Sequence, residues 1–421
     1  MKYKVFPLMY AASERFKNTI RFALEFNERI NSDSLFYAVQ MVQKRYPYFS
    51  VRMEQEGEEL ILTENSLPFV ISDENKAVCL NSPESNYHIL AFAQQGNVIS
   101  INISHNICDG NGIAPLVKTL CYYYIQHHYG AEGIKTDTIN LVSGPVQEDE
   151  YLYPFPDSPL PDQEGFDYAP EIRDPFIFPD DYFAADGSYS YNLLVSQQEM
   201  MKLAKPNDGS PVSFVCAMLY KTMMKLFPKT EKEIVFHIPH EYRKALGRPL
   251  AHDSLARVFD IKLSPKEKDY PLEMLNTMLR GQVILGSDVS GDIKAINGMV
   301  QLGGYLTSMP LEMKKQTMQA IVAPSIDAGK HTFGVSYTGN IDWCGMGKYI
   351  RNVHAYAGEN KRSGGMAVEI FTIGDNFSLC LMQPGKNPEF VNELIKTFRE
   401  SGIKCVLDGE EHFTMPDFAL V

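Results

Sequence analysis

Between about Pro145 and Asp181 the sequence reads PVQEDEYLYPFPDSPLPDQEGFDYAPEIRDPFIFPDD, a stretch dense in proline and acidic residues. Proline removes backbone donors and breaks both helices and central strands, so no regular element is expected to run through it. A chain of 421 residues exceeds what one hydrophobic core usually supports. The break therefore predicts two domains, 1–180 ending in this crossover linker (about 145–181) and 182–421. Seven aromatic residues punctuate the linker: Tyr151, Tyr153, Phe155, Phe166, Tyr168, Phe176 and Phe178. A free tether carries few aromatics, so the segment is expected to lie across the surface and pack down.

The 44% hydrophobic and 22% charged content is globular usage, which excludes disordered and fibrous classes. A net charge of −13 without a clustered basic patch repels phosphate backbones, so no nucleic-acid partner is expected. No run reaches the ~18 apolar residues of a membrane span, and Met1 to Pro7 lacks the apolar region of an export signal. The chain reads as cytoplasmic. Its seven cysteines are scattered and include no Cys-x-x-Cys pair, so neither a disulfide framework nor a cysteine zinc site is expected.

Both halves mix strands and helices. Asp33 or Ser34 is placed to cap a helix with apolar positions Leu35, Phe36, Ala38, Val39 and Val42, stopped by Pro47. Tyr87 to Gln94 and Val98 to Ser104 read as strands joined by the turn Gln95-Gly96-Asn97. In the second strand Ile99, Ile101 and Ile103 alternate with Ser100, Asn102 and Ser104, the pattern of a half-buried strand. Asp109-Gly110-Asn111-Gly112 then supplies cap and turn residues for a helix with apolar face Ile113, Leu116, Val117, Leu120 and Tyr124. Past the linker, strands are expected at Ser188 to Val195, Glu233 to Pro239, Leu255 to Leu263, His331 to Tyr337, Met366 to Ile373 and Phe377 to Met382. Helices are expected at Pro211 to Leu226, Pro271 to Leu285 and Pro388 to Ser401.

His105 thus falls at a strand end, four residues before an aspartate that opens a helix. A rigid strand holds the imidazole while the turn exposes it, and an imidazole accepts a proton near neutral pH. Asp109, as the cap, is occupied by backbone amides and the helix dipole, which gives it an organising role beside the catalytic histidine. Gly110 and Gly112 permit a tight turn and the close approach of another backbone. Cys108, three residues from His105, reads as a small buried hydrophobe in place of a nucleophile.

The pattern His105-x-x-x-Asp109-Gly110 at the end of an isoleucine-alternating strand resembles the active-site motif of the chloramphenicol-acetyltransferase-like superfamily. That group includes condensation domains of peptide synthetases, alcohol acetyltransferases and plant hydroxycinnamoyl-type transferases. Two further segments carry the likeness. Pro239-His240-Glu241-Tyr242-Arg243 is similar to a strand-Pro-x-x-x-Arg stretch in the second domain, and Val335-Ser336-Tyr337-Thr338-Gly339-Asn340 is similar to a segment that lines the channel of such enzymes. The resemblance spans essentially the whole chain. It implies two α/β sandwich domains with a channel between them and His105 at its midpoint.

It further implies transfer of an acyl group from a thioester, acyl-CoA as co-substrate, to an alcohol or amine acceptor, with His105 as general base and no bound cofactor. Ser336, Thr338, Gly339 and Asn340 are the candidates for lining the channel or holding the oxyanion. Arg243 either holds a carboxylate structurally or binds an anionic part of a substrate. A phosphopantetheine thioester on an acyl carrier protein is the alternative donor, although Ser104 stands where condensation domains have a second histidine. The plant branch ends in Asp-Phe-Gly-Trp-Gly, of which Asp342-Trp343-Cys344-Gly345-Met346-Gly347 is an approximate echo. A non-catalytic binding protein that kept the fold is the remaining reading, and it has no use for the intact His105, Asp109 and Gly110. His237 and His240, or His127 and His128, are metal-ligand types, but no third ligand stands at a matching spacing, so no metal is expected.

Overall fold

The computed structural model describes residues 2–14, 16–73, 78–130, 132–166, 168–327, 330–357 and 365–420. Its strands form a five-stranded and a seven-stranded sheet, with a small three-stranded sheet beside them. The five-stranded sheet runs in the order Ile350–Ala357, Thr19–Phe26, Val98–Ser104, Leu90–Gln95, Ile71–Ser72. Helices Ser32–Arg45 and Gly110–Tyr129 pack beside it. Leu35, Ala38, Val39 and Val42 of the first and Ile113, Leu116, Val117, Leu120 and Tyr124 of the second are buried in one core with Ile99, Ile101 and Ile103. The helical spacing of these apolar positions is what seals the face. Phe36 falls outside it and is exposed. The first helix is capped two or three residues earlier than expected: the Asn31 side chain accepts from the Ser34 amide.

The seven-stranded sheet runs in the order Ala256–Leu263, Ile234–Glu241, Phe333–Tyr337, Met366–Ile373, Asn376–Gln383, Ser188–Ser196, Cys405–Phe413. Helices Pro211–Leu226, Leu272–Gly286 and Glu389–Glu400 supply buried side chains against one face, where Phe236, Ile238, Phe333, Val335, Val368, Ile370, Leu379 and Leu381 point. The opposite face turns toward the five-stranded sheet. There Phe371 meets Phe22 edge to face at 6.0 Å, and Cys380 and Met382 pack with Ala23 and Tyr356.

That second contact corrects the reading of Val98–Ser104 as half-buried. Ser100, Asn102 and Ser104 are as inaccessible as the isoleucines between them. The polar face is covered because a neighbouring strand and the C-terminal tail close over it. Arg21, 2% exposed, bridges the two, with Nε donating to Asn102 Oδ1 at 3.3 Å and Nη2 to the Thr414 carbonyl at 2.9 Å. A polar strand face is legible as alternation, but whether water or a polar partner covers it depends on the tertiary fold.

The linker lies down as its aromatics predict. Phe155, Phe176 and Phe178 are buried, and Glu150, 4% exposed, accepts two 2.8 Å hydrogen bonds from Arg45 and one of 2.6 Å from Tyr48. Phe166 is the exception, exposed to solvent. Helices Gln197–Ala204, Val289–Thr307 and Leu311–Asp327 and strands Ile350–Ala357 and Cys405–Phe413 are further elements of the second half that the sequence patterns do not announce. Ile350–Ala357 comes from the C-terminal half yet pairs antiparallel with Thr19–Phe26, so a boundary near residue 180 does not separate the two sheets. The C-terminal tail also returns, with the Leu80 amide donating to Asp417 and the Ala419 amide to Leu80. Among the described residues no helix is long and apolar enough to cross a membrane.

The two halves approach closely at Gly112, where a Cβ would stand 2.0 Å from the His252 carbonyl oxygen. Overpacking against backbone cannot relax by a rotamer change. Gly112→Ala is therefore expected to lose roughly 1–3 kcal/mol in urea denaturation followed by circular dichroism. Gly298→Ala, with nothing within 4 Å in mid-helix, is expected to hold or gain up to about 1 kcal/mol in the same assay.

Candidate active site

The strand Val98–Ser104 ends where the chain turns sharply. The Ile107 amide donates to the Ser104 carbonyl at 3.2 Å, and the His105 amide donates to Asn18 at 2.7 Å. Asn18 sits at φ 49°, a left-handed conformation that asparagine tolerates. Its side chain in turn donates to Asn106 at 2.8 Å. The backbone under His105 is therefore held from both sides.

The imidazole itself makes one informative contact, His105 Nδ1 to the Cys108 carbonyl at 2.8 Å. A carbonyl can only accept, so Nδ1 carries the proton and Nε2 of the neutral ring is left with its lone pair. The side chain is partly exposed, unlike the turn beneath it. Cys108 is fully buried, and that burial pushes its thiol well above the usual range, which keeps it protonated and inert as a nucleophile.

Asp109 caps the helix, accepting from the Gly112 amide at 2.8 Å. Its remaining lone pairs face the other half of the molecule. Oδ1 accepts from Arg243 Nη2 at 2.7 Å; Oδ2 accepts from Arg243 Nη1 at 3.0 Å and from the Leu255 amide at 3.0 Å. Arg243 also donates to the Ala251 carbonyl at 2.8 Å, to Glu241 at 3.1 Å and to the Asp253 carbonyl at 2.6 Å. All of its N–H groups have partners, which leaves none for a substrate anion. Of the two roles open to Arg243 in the sequence, the geometry matches the structural one.

Gly110 touches the second half as well: a Cβ there would stand 2.8 Å from Thr338 Cγ2. Thr338 Oγ1 is buried without a hydrogen-bond partner, a costly state unless something else occupies it. Of the four channel candidates, then, Thr338 is brought to the start of the helix. Gly339, at φ +83°, turns the chain away, and Asn340 is exposed. Ser336 lies opposite Glu369 in the parallel pair and is its hydrogen-bonding neighbour.

Glu369 was not singled out in the sequence, though it is the one charged residue in the apolar run Met366–Ile373. It shares a face with Ala367 and Phe371, both of which pack against the five-stranded sheet. Its carboxyl lies deep in the protein yet keeps some contact with solvent, and burial raises its pKa to about 7, opposed by Ser336. Asp253, beside Arg243, is likewise raised to about 7 by burial. His252 was also missed, and nothing in its local sequence marks it. It is 4% exposed, bonds the Gly112 carbonyl through Nδ1 and Tyr48 through Nε2 at 2.9 Å, and burial lowers its pKa to about 4. A cavity of about 600 Å³ opens beside Gly112, Glu241, Arg243 and His252. His105 does not line it.

The sequence matches no family model and no curated protein. Solved structures match nearly end to end. F. graminearum TRI101, crystallised with coenzyme A and T-2 mycotoxin, aligns with a TM-score of 0.60 at 12% identity over 96% of this chain and 99% of its own. Polyketide synthase associated protein 5 from Mycobacterium tuberculosis aligns at 0.55 and 13% identity over 94% and 96%. The condensation domain from the Monacolin K polyketide synthase MokA aligns at 0.50 and 10% identity over 95% and 97%.

Two outcomes follow from the charges at this site. Asp109→Ala strands a buried guanidinium, which costs about 3–5 kcal/mol, and is expected to lower the urea midpoint accordingly. For Glu369, the folded pKa lies above the unfolded one, so its protonated form stabilises the fold below pH 4.5 and that contribution is lost as pH rises through 7. Thermal unfolding at pH 5 and pH 8 is expected to show Glu369→Gln gaining on the unmodified protein at the higher pH; an equal difference at both would contradict this.

Proposed function

From a chain with the two-domain fold of the chloramphenicol-acetyltransferase-like superfamily, we propose an acyltransferase in which His105 is the general base. The observation that carries this reading is the His105 Nδ1–H bond to the Cys108 carbonyl, which leaves the Nε2 lone pair of a half-buried ring able to accept a proton. Such a group removes a proton from an acceptor hydroxyl or amine as that oxygen or nitrogen attacks a thioester carbonyl. The carbonyl oxygen becomes an oxyanion, and the partnerless Thr338 hydroxyl is the donor we assign to it. Collapse expels the thiolate, which recovers the proton from the His105 imidazolium. Asp109 and Arg243 touch neither substrate and position the turn.

Acyl-CoA is the donor we favour, supported by a structural neighbour crystallised with coenzyme A. The carrier-protein donor is the second reading, supported by the likeness to a condensation domain. It sits less well with Ser104 in place of a second histidine. Under either donor the acceptor is a small alcohol or amine.

The assay is thiol release from acyl-CoA with a panel of alcohols and amines. His105→Ala is expected to slow it by roughly 10²–10⁴-fold, and Thr338→Val by about 10²–10³-fold, with unchanged circular dichroism spectra. Full activity in His105→Ala would sink the mechanism. Release that appears only with an acylated carrier protein would select the second donor.

A further inference from the structure

The sequence offers His237 and His240 as metal-ligand types and no third partner near them. The fold supplies one by another route. His237 and Asp260 are directly opposite in the antiparallel pair Ile234–Glu241 with Ala256–Leu263, and His237 Nδ1 and Asp260 Oδ1 stand 2.7 Å apart. His331, almost a hundred residues later in the chain, stacks on His237 with ring centroids 4.4 Å apart and planes within 7°. One donor atom from each of the three lies within 4.8 Å of the others. His240 does not join them; its ring faces Asp292 at 3.5 Å.

We propose that His237, Asp260 and His331 form a binding site for a divalent transition-metal cation of the zinc class. Two imidazoles and one carboxylate are a borderline donor set suited to zinc, cobalt or nickel, with a fourth position left for water. The three are held by structure that exists without the ion. The Thr332 amide donates to Val235 at 2.8 Å, the Val235 amide to Thr332 Oγ1 at 3.1 Å, and that hydroxyl to the Phe176 carbonyl at 2.8 Å. His331 and His237 are thereby tied to adjacent strands with the linker at their back.

Room and access are also present. Phe236, Ile238, Phe259 and Ile261 turn into the helix-covered core, so His237 and Asp260 point to the other face of the sheet. Gly334, in register beside His237 on the next strand, carries no side chain to fill that space. His237 and Asp260 keep 33% and 26% of their side-chain surface, enough for an ion to enter. Parallel rings aim their lone pairs side by side, so binding requires His331 to rotate about χ2 until its donor converges with that of His237. The proton between His237 and Asp260 is then released.

The other cluster of this kind, Glu25, His354 and Asp408, already holds a cation: Arg351 pairs with Glu25 and, at 2.6 Å, with Asp408. Among the described residues no guanidinium or ammonium pairs with Asp260. Gly334, beside His237, stands four residues at ~3.3 Å each, roughly 13 Å, from Thr338, and an ion in the cluster would tie the strands of His237 and Asp260 to the segment that leads into Phe333–Tyr337. The inference stands apart from acyl transfer.

The test uses the full chain freed of metal by a chelator and titrated with Zn²⁺ by calorimetry and with Co²⁺ by visible absorption. One equivalent bound at low micromolar affinity or tighter, with the intense d–d bands of a four-coordinate cobalt site, is expected. His331→Ala and the milder Asp260→Asn are each expected to weaken binding on the order of 10–100-fold, while His240→Ala leaves it unchanged. Circular dichroism establishes that each variant is folded before titration. Absence of stoichiometric binding, or binding that His331→Ala and Asp260→Asn leave intact, overturns the proposal.

Discussion

The ion pair between Asp109 and Arg243 is the constraint on which the rest of the site depends. It joins Asp109, the cap of the Gly110–Tyr129 helix, to the second half of the chain, 134 residues away, in a place where both side chains are buried. Burying two charges costs several kcal/mol each, and attraction alone rarely repays it. Here the remaining capacity of both groups is used: Asp109 also binds the Gly112 and Leu255 amides, and Arg243 binds two carbonyls and Glu241. With these partners, the pair works as a geometric pin, and the turn carrying His105 is fixed relative to Thr338 because of it.

Burial shifts several ionisable groups toward their neutral forms. Burial holds Cys108 as a thiol, lowers His252, and raises Asp253 and Glu369. A low-polarity seam strengthens whatever hydrogen bonds form within it.

Much of this was legible in sequence because it is local. The cap at Asp109, the helix face from Ile113 to Tyr124, the hairpin before His105 and the downward packing of the linker aromatics each follow from residues within a few positions of one another. What was missed is non-local. Helix Leu311–Asp327 carries weakly periodic apolar residues, with Met313 and Ile321 exposed, so it does not announce itself. Asn31, in place of Asp33 or Ser34, is the cap because its backbone is extended while the helix already begins at Ser32. Glu369 carried a readable signal, a lone acid in an apolar strand, but its neighbour Ser336 belongs to a different strand.

The sequence by itself determined the chemistry on offer: a histidine at a strand end, an aspartate as helix cap, glycines where backbones must approach, and two α/β halves across a proline-rich crossover. It could do so because capping, alternation and helical periodicity are short-range properties. Tertiary structure alone decided which of these groups meet. Arg243 was assigned to Asp109 and withdrawn from any substrate, the polar face of Val98–Ser104 was buried, and His331 was stacked on His237. Those outcomes depend on how two sheets face each other, and that packing is set by contacts hundreds of residues apart, which no local spacing encodes.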